Sequence, residues 1–262
     1  MSQTDLSQLA GATEPVETPL WRYPVGIWRL ARTLTYLVRL AVTMRLTFPG
    51  MSPEDQRARI QVWSQRILQR LGVSLEVHGS FRPGAKLIVS NHVSWLDIIS
   101  LNATHPSRFV SKAEVSQWPV VGGMVVQAGT ILLERAKRRD AMRVMGLLTQ
   151  TLKDGGTATA FPEGTTGNGR EILPFHGNLL QAAIDADVPV QPVAMRYSDA
   201  KHRISPAAAY VGDTTLAQSL WWVACARGFT VHLTVLASHQ VTHADRRRLA
   251  ETLRNDIVSA LK

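Results

Sequence analysis

After Gly72 the chain stops reading as continuous helix and begins to alternate short apolar, β-branched runs with stretches of helical periodicity. Strands are expected over residues 74–77, 86–90, 108–111, 130–133, 157–161, 191–195 and 230–236, with helices in most of the gaps. Such elements bury their apolar faces by layering helices on a sheet whose neighbours run mainly in one direction. The expected class is therefore α/β, a mixed, largely parallel sheet flanked by helices. The last helix is the plainest, with Leu249, Leu253, Ile257 and Leu261 at every fourth position. A chain of 262 residues with 45% apolar content can bury one sizeable core, so a main domain over residues 73–262 with a helical appendage is favoured over two equal domains.

In an open α/β sheet, ligands bind outside the carboxyl ends of the strands, and four stretches put polar groups there. The run IVSNHVSWLDIIS (88–100) ends a strand and then sets His92 and Asp97 five residues apart. On a straight helix such positions diverge by roughly 140°. The two meet only if His92 lies in the turn after the strand and Asp97 on the next helix, capped by Asn91 or Ser94. GTILLER (129–135) brings Glu134 and Arg135 to a strand end, FPEGTTGNG (161–169) brings a carboxylate and a glycine-rich loop, and VPVQPVAM (188–195) is a proline-punctuated strand. Singly, each has an ordinary explanation: a structural histidine, a turn, a surface ion pair.

The amino-terminal part reads differently. Residues 1–19 are polar and carry Asp5, Glu14 and Glu17, which does not suit a signal peptide, and residues 1–20 are expected to be a disordered tail. A helix is expected from Pro24 to about Thr47, stopped by Pro49-Gly50, and a second from the N-cap Ser52 to about Leu71. On a helical wheel Arg29, Arg32 and Arg39 fall within about 80° of one another, with Ile27, Leu30, Leu34, Leu37, Ala41, Met44 and Phe48 in the facing sector. The net charge is +9, and most of the excess lies between Leu20 and Arg82, where ten arginines face three acids. Two arrangements suit such a pair: helices packed on a core with solvated arginines, or an amphipathic pair (21–72) in a membrane interface with its arginines toward anionic headgroups. The second is the expectation. No run reaches the roughly 18 consecutive apolar residues of a membrane span.

Other chemistries find little support. The lone Cys225 excludes an intramolecular disulfide, fits a reducing compartment, and sits in the apolar run WWVACA, where core packing is its expected role. Among the remaining histidines no ligand spacing suggests a metal. GTTGNG lacks the Gly-Lys-Ser/Thr ending of a phosphate-binding loop, and no Gly-x-Ser-x-Gly elbow is present. A basic nucleic-acid-binding or membrane-binding module without catalysis is the alternative of a different class, but the arginines are not interleaved with aromatic stacking platforms.

In this order and spacing, NHVSWLD (91–97), GTILLER (129–135), FPEGT (161–165) and VPVQPV (188–193) resemble the signature blocks of the glycerolipid acyltransferase family, typified by lysophosphatidic acid acyltransferases. The resemblance runs from about Ser74 to Tyr197. It implies the glycerolipid acyltransferase fold and transfer of a fatty acyl group from acyl-CoA or acyl-carrier protein to the free hydroxyl of a lysophospholipid, in phospholipid biosynthesis. It implies further that His92 is a general base assisted by Asp97, without an acyl-enzyme. Arg135, Glu163, Gly164, Thr165 and Thr166 would bind the acceptor, with no cofactor beyond the thioester co-substrate and no metal. Membrane lipids would be partners and nucleic acid would not, at the cytoplasmic face of the inner membrane. Oligomeric state stays open.

There are two departures from the family pattern. Glu134 stands where the family more often has Asp, and Thr166 follows FPEGT where phosphate-acceptor members usually have Arg. Arg170 or Lys112 would then supply the missing charge for 1-acylglycerol-3-phosphate, or the acceptor is a less anionic lipid such as lyso-ornithine lipid.

Overall fold

The computed structural model describes residues 16–134 and 138–262. Residues 1–15 of the expected tail, and Arg135, lie outside them. The chain enters through helix α1 (Tyr23–Thr47), with Pro24 in its first turn, and α2 (Pro53–Leu71). Ser52 caps α2 as expected, its hydroxyl accepting the Asp55 N–H at 3.1 Å, and Gly72 ends it in a left-handed conformation at φ 76°. Then come β1 (Ser74–His78), β2 (Lys86–Ser90), α3 (Leu96–Thr104), β3 (Arg108–Lys112), α4 (Val121–Gln127), β4 (Ile131–Leu133), α5 (Arg138–Lys153) and β5 (Thr157–Ala160). The chain closes with α6 (Gln181–Ala186), β6 (Val190–Ser198), α7 (Leu216–Cys225), β7 (Thr230–Val235) and α8 (Arg246–Leu261).

The seven strands form one sheet in the order β1-β7-β6-β2-β5-β3-β4. Only β6 and β7 pair antiparallel, so the sheet is mixed and largely parallel, as expected. Central β2 is buried along its whole length, which is why it reads as an unbroken apolar run rather than an alternation. Its side chains divide between two cores by the period of two. Leu87 and Val89 face α5, α6 and α8, packing with Leu148, Leu152, Ala183 and Leu253. Ile88 faces the other way, into a core shared with Leu40 and Met44 of α1 and Ile67, Leu68 and Leu71 of α2. The amino-terminal helical pair thus covers one face of the sheet.

That packing corrects the expected orientation of α1. Its buried positions, Thr33, Tyr36, Leu40 and Met44, lie on the same side as Arg29 and Arg32. These arginines do not face outward. Arg22 donates to the carbonyls of Cys225 and Ala226, Arg29 to those of Ala224 and Ala226, and Arg32 to those of Arg70 and Gln69 at 2.7 and 2.9 Å. The physical reason is that the last carbonyls of α2 and α7 have no partner within their own helices, and a guanidinium offers several donors in a fixed fork. Arg39 and Arg45 do remain exposed, but most of what α1 turns outward is apolar: Ile27, Trp28, Leu34, Val38, Val42 and Leu46 are all exposed, as are Leu20 and Trp21 ahead of it. Among the described residues, no helix is long and apolar enough to cross a membrane. Cys225 is buried against Gly26 of α1, in the packing role expected of it.

Candidate active site

Strand β2 ends at Ser90, and the next two residues set up the site. The Asn91 side-chain amide pairs with the backbone of Met195 on β6, donating to its carbonyl at 2.9 Å and accepting its N–H at 2.8 Å. Neither Asn91 nor Ser94 caps α3; the asparagine is committed to β6, and the Ser94 hydroxyl finds no hydrogen-bond partner among the described residues. With the strand end pegged, His92 turns into the space beyond the sheet and stacks on Phe161 at the end of β5, ring centroids 4.0 Å apart.

His92 and Asp97 meet, as expected of a turn followed by a helix. His92 Nδ1 lies 2.7 Å from Asp97 Oδ2, and Asp97 is fully buried in the first turn of α3. The same oxygen accepts the N–H groups of Val93 at 2.7 Å and Ser94 at 3.0 Å. The carboxylate thereby folds the turn between β2 and α3 around itself and holds the imidazole by one nitrogen. Facing a carboxylate, Nδ1 carries the proton and Nε2 is left as the basic nitrogen.

Behind His92 sits Glu163. Its carboxylate accepts the backbone N–H of His92 at 2.6 Å through Oε1 and that of Leu173 at 2.9 Å through Oε2. It is 1% exposed, and burial pushes it up to about 7 despite those two bonds and the nearby charge of Arg254. Arg254 of α8 in turn donates to the carbonyls of Ile172 and Leu173, fixing the loop that carries the second N–H. The expected acceptor-binding carboxylate is therefore spent on bracing two loops. Its neighbours behave similarly. Gly164 turns at φ 72°, Gly167 donates to the His92 carbonyl at 2.7 Å, and the Thr166 hydroxyl donates to the Tyr210 carbonyl. Thr165 lies partly buried between them.

A cleft of about 360 Å³ opens at the ends of β3, β4 and β5, lined by Lys112, Leu133, Phe161, Glu163, Gly164 and His176 among others. It shares Phe161 with the His92 stack, so the imidazole and the cleft adjoin. Lys112 brings a cation to it. Arg170 lies instead in a separate cleft with Arg196 and Arg254. The VPVQPVAM stretch reaches the site only at its far end, through Met195, because its first half lies at the amino end of β6. Arg135 falls outside the described residues. Two side chains have no counterpart in the sequence expectations: Arg254, and Tyr197 of β6, whose hydroxyl donates to Asp97 Oδ1 at 2.5 Å.

The Acyltransferase family profile matches residues 74–196. The 1-acyl-sn-glycerol-3-phosphate acyltransferase of Neisseria meningitidis is 32% identical over 232 residues, covering 87% of this chain and 90% of that protein. The lyso-ornithine lipid O-acyltransferase of Pseudomonas aeruginosa is 34% identical over 222 residues, covering 84% and 85%. The crystal structure of the 1-acyl-sn-glycerophosphate acyltransferase PlsC from Thermotoga maritima superposes with a TM-score of 0.72 over 92% of this chain and 95% of that one, at 19% identity.

Proposed function

The chain belongs to the Acyltransferase family and is an acyltransferase, and from that premise we propose that it transfers a fatty acyl group from an acyl thioester to the free hydroxyl of a lysolipid, with 1-acylglycerol-3-phosphate as acceptor and phosphatidic acid as product. The observation that carries the reading is the His92–Asp97 pair, 2.7 Å apart and adjoining a cleft that holds Lys112. A hydroxyl is a poor nucleophile near neutral pH, and a positioned imidazole is suited to take its proton. As the acceptor oxygen attacks the thioester carbonyl, its proton passes to His92 Nε2, and Asp97 stabilises the imidazolium that forms. When the tetrahedral intermediate collapses, the C–S bond breaks and the proton leaves with the thiol of coenzyme A or acyl-carrier protein. No acyl-enzyme is needed, since the acyl group arrives already activated.

Lys112 supports a phosphate-bearing acceptor, because an ammonium in the cleft offers charge-assisted hydrogen bonds to a phosphate monoester. A second reading, lyso-ornithine lipid, is favoured by Thr166, whose neutral hydroxyl stands where an arginine would serve a phosphate and is already bound to Tyr210. An acceptor panel with the full-length protein and one long-chain acyl thioester decides between them. Preference for lysophosphatidic acid supports the first reading, and preference for lyso-ornithine lipid replaces it with the second. Incubation with labelled thioester alone should leave the denatured protein unlabelled; a stoichiometric label would overturn direct transfer.

The exposed apolar face of α1 supports a peripheral membrane location. Lifting a 15-carbon chain out of a bilayer would cost roughly 12 kcal/mol at about 0.8 kcal/mol per methylene, so the enzyme should go to the lipid. In that orientation the cleft works at the cytoplasmic face of the inner membrane.

A further inference from the structure

We propose that Tyr197 is a positioning residue for the transfer reaction, holding Asp97 and setting, through it, how strongly His92 binds a proton. The inference rests on the assignment of His92 as the base. Asp97 is fully buried, and its two oxygens have different work. Oδ2 gathers His92 Nδ1 and the N–H groups of Val93 and Ser94, whereas Oδ1 receives the Tyr197 hydroxyl. Without that hydroxyl, a carboxylate oxygen in a water-excluded core would lose its donor, and the charge would concentrate on the oxygen that faces the ring.

Tyr197 is fixed where it acts. It is 2% exposed, packs on Phe229 with ring centroids 5.8 Å apart, and lies two residues past Met195, the residue to which Asn91 pegs the end of β2. The strand that carries the base and the strand that carries the phenol are therefore locked in register beside the site. Burial, then the Asp97 charge, push the phenol well above its usual range, so it stays a donor at any working pH.

A donor on Oδ1 draws charge away from the oxygen that faces His92. The imidazolium is then less strongly stabilised, and the ring stays neutral and ready to accept a proton at lower pH. Other charged groups face this pair from several elements: Glu163 behind the His92 backbone, Arg254 of α8 behind Glu163, and Lys112 and His176 lining the cleft beyond Phe161. Glu163 also feels the Asp97 charge, so the His92 resonances, which report the ring itself, separate the two groups.

The test compares the full-length wild type with Tyr197→Phe and with 3-fluorotyrosine placed at position 197, a stronger donor of nearly the same shape. Tyr197→Phe should lower kcat about three- to tenfold, leave KM for the lysolipid little changed, and move the acidic limb of the kcat/KM profile up by about half a pH unit. Fluorotyrosine should move that limb down. Imidazole nitrogen resonances of His92, followed by NMR, should titrate with the same two displacements. Acidic limbs that coincide in all three proteins would overturn the proposal and leave Tyr197 as a core residue, even if Tyr197→Phe were slower or less stable. Full activity in a folded His92→Ala protein would instead remove the base assignment itself.

Discussion

The Glu163 carboxylate accepts the backbone N–H of His92 at 2.6 Å while its other oxygen takes that of Leu173, so the acid of FPEGT ties the turn carrying the imidazole to the loop that follows it. Glu163→Gln keeps the shape, but an amide NH2 cannot accept from an N–H, and one of the two bonds is lost. Because small misplacements of a base are costly, kcat should fall by roughly tenfold or more with KM for the lysolipid nearly unchanged. Steady-state kinetics check this. A raised KM with kcat intact would put Glu163 on the acceptor after all.

One buried and one half-buried group give stability opposing dependences on pH. Glu163 is pushed up to about 7 by burial, so between about pH 4.5 and pH 7 the folded state binds more protons than the unfolded chain and stability falls as pH rises. His105, stacked on Phe81, is lowered to about 4 by burial and by Lys86 and Arg57. Between about pH 4 and pH 6.5 the unfolded chain binds more protons there, and stability rises with pH. Over the shared window the slopes offset each other. In Glu163→Gln the rise due to His105 should be unmasked in urea midpoints measured between about pH 4.5 and pH 6.5. An unchanged slope would mean that Glu163 does not titrate in this range.

Membrane binding should follow the apolar face of α1. Trp28, Leu34 and Val38 are 59%, 58% and 46% exposed, and inserting what remains exposed contributes on the order of 1 kcal/mol each. Changing all three to Ser should weaken retention on anionic vesicles by roughly a hundredfold, with the denaturation midpoint little altered. Arg29→Glu and Arg32→Glu should instead destabilise the fold, since their carbonyl partners at the ends of α7 and α2 lose their donors. Flotation unaffected by the triple serine variant would mean that this face meets something other than lipid.

The contrast between those substitutions shows what the sequence conveys and what it withholds. Strands and the pairing of His92 with Asp97 were legible because both are local: a short β-branched run, then a turn and a helix within five residues. The wheel divided α1 only in part, since Met44 and Phe48, set opposite the arginines, are buried, Met44 on the side of Arg29 and Arg32. It could not say which sector meets the protein, because that depends on carbonyls about 40 and 200 residues away, at the ends of α2 and α7. The block FPEGT located Glu163 but not its partners, which are backbone groups without a sequence signature. Tyr197 was invisible as a site residue because its partner is 100 positions distant and β6 reads as ordinary core strand. A tyrosine buried in a core strand is the one hint available, since its hydroxyl requires a partner.

The headgroup assignment turns on Lys112. If a phosphate monoester sits in the cleft at the ends of β3, β4 and β5, Lys112→Ala should raise KM for lysophosphatidic acid by about ten- to a hundredfold, the range of a lost charge-assisted hydrogen bond. Thr166→Val, which removes only the bond to Tyr210, should leave the preferred acceptor as it was. Kinetics on both acceptors check the pair. Equal KM values in wild type and Lys112→Ala would place the headgroup elsewhere.

The central claim is that His92 takes the proton of the attacking hydroxyl. The direct measurement is thiol release from a long-chain acyl thioester with lysophosphatidic acid by full-length His92→Ala, beside the wild type and with matched denaturation midpoints. A fall in turnover of roughly 10² to 10⁴, the range of lost acid–base catalysis, is predicted. Near-normal turnover by the folded variant would contradict the claim.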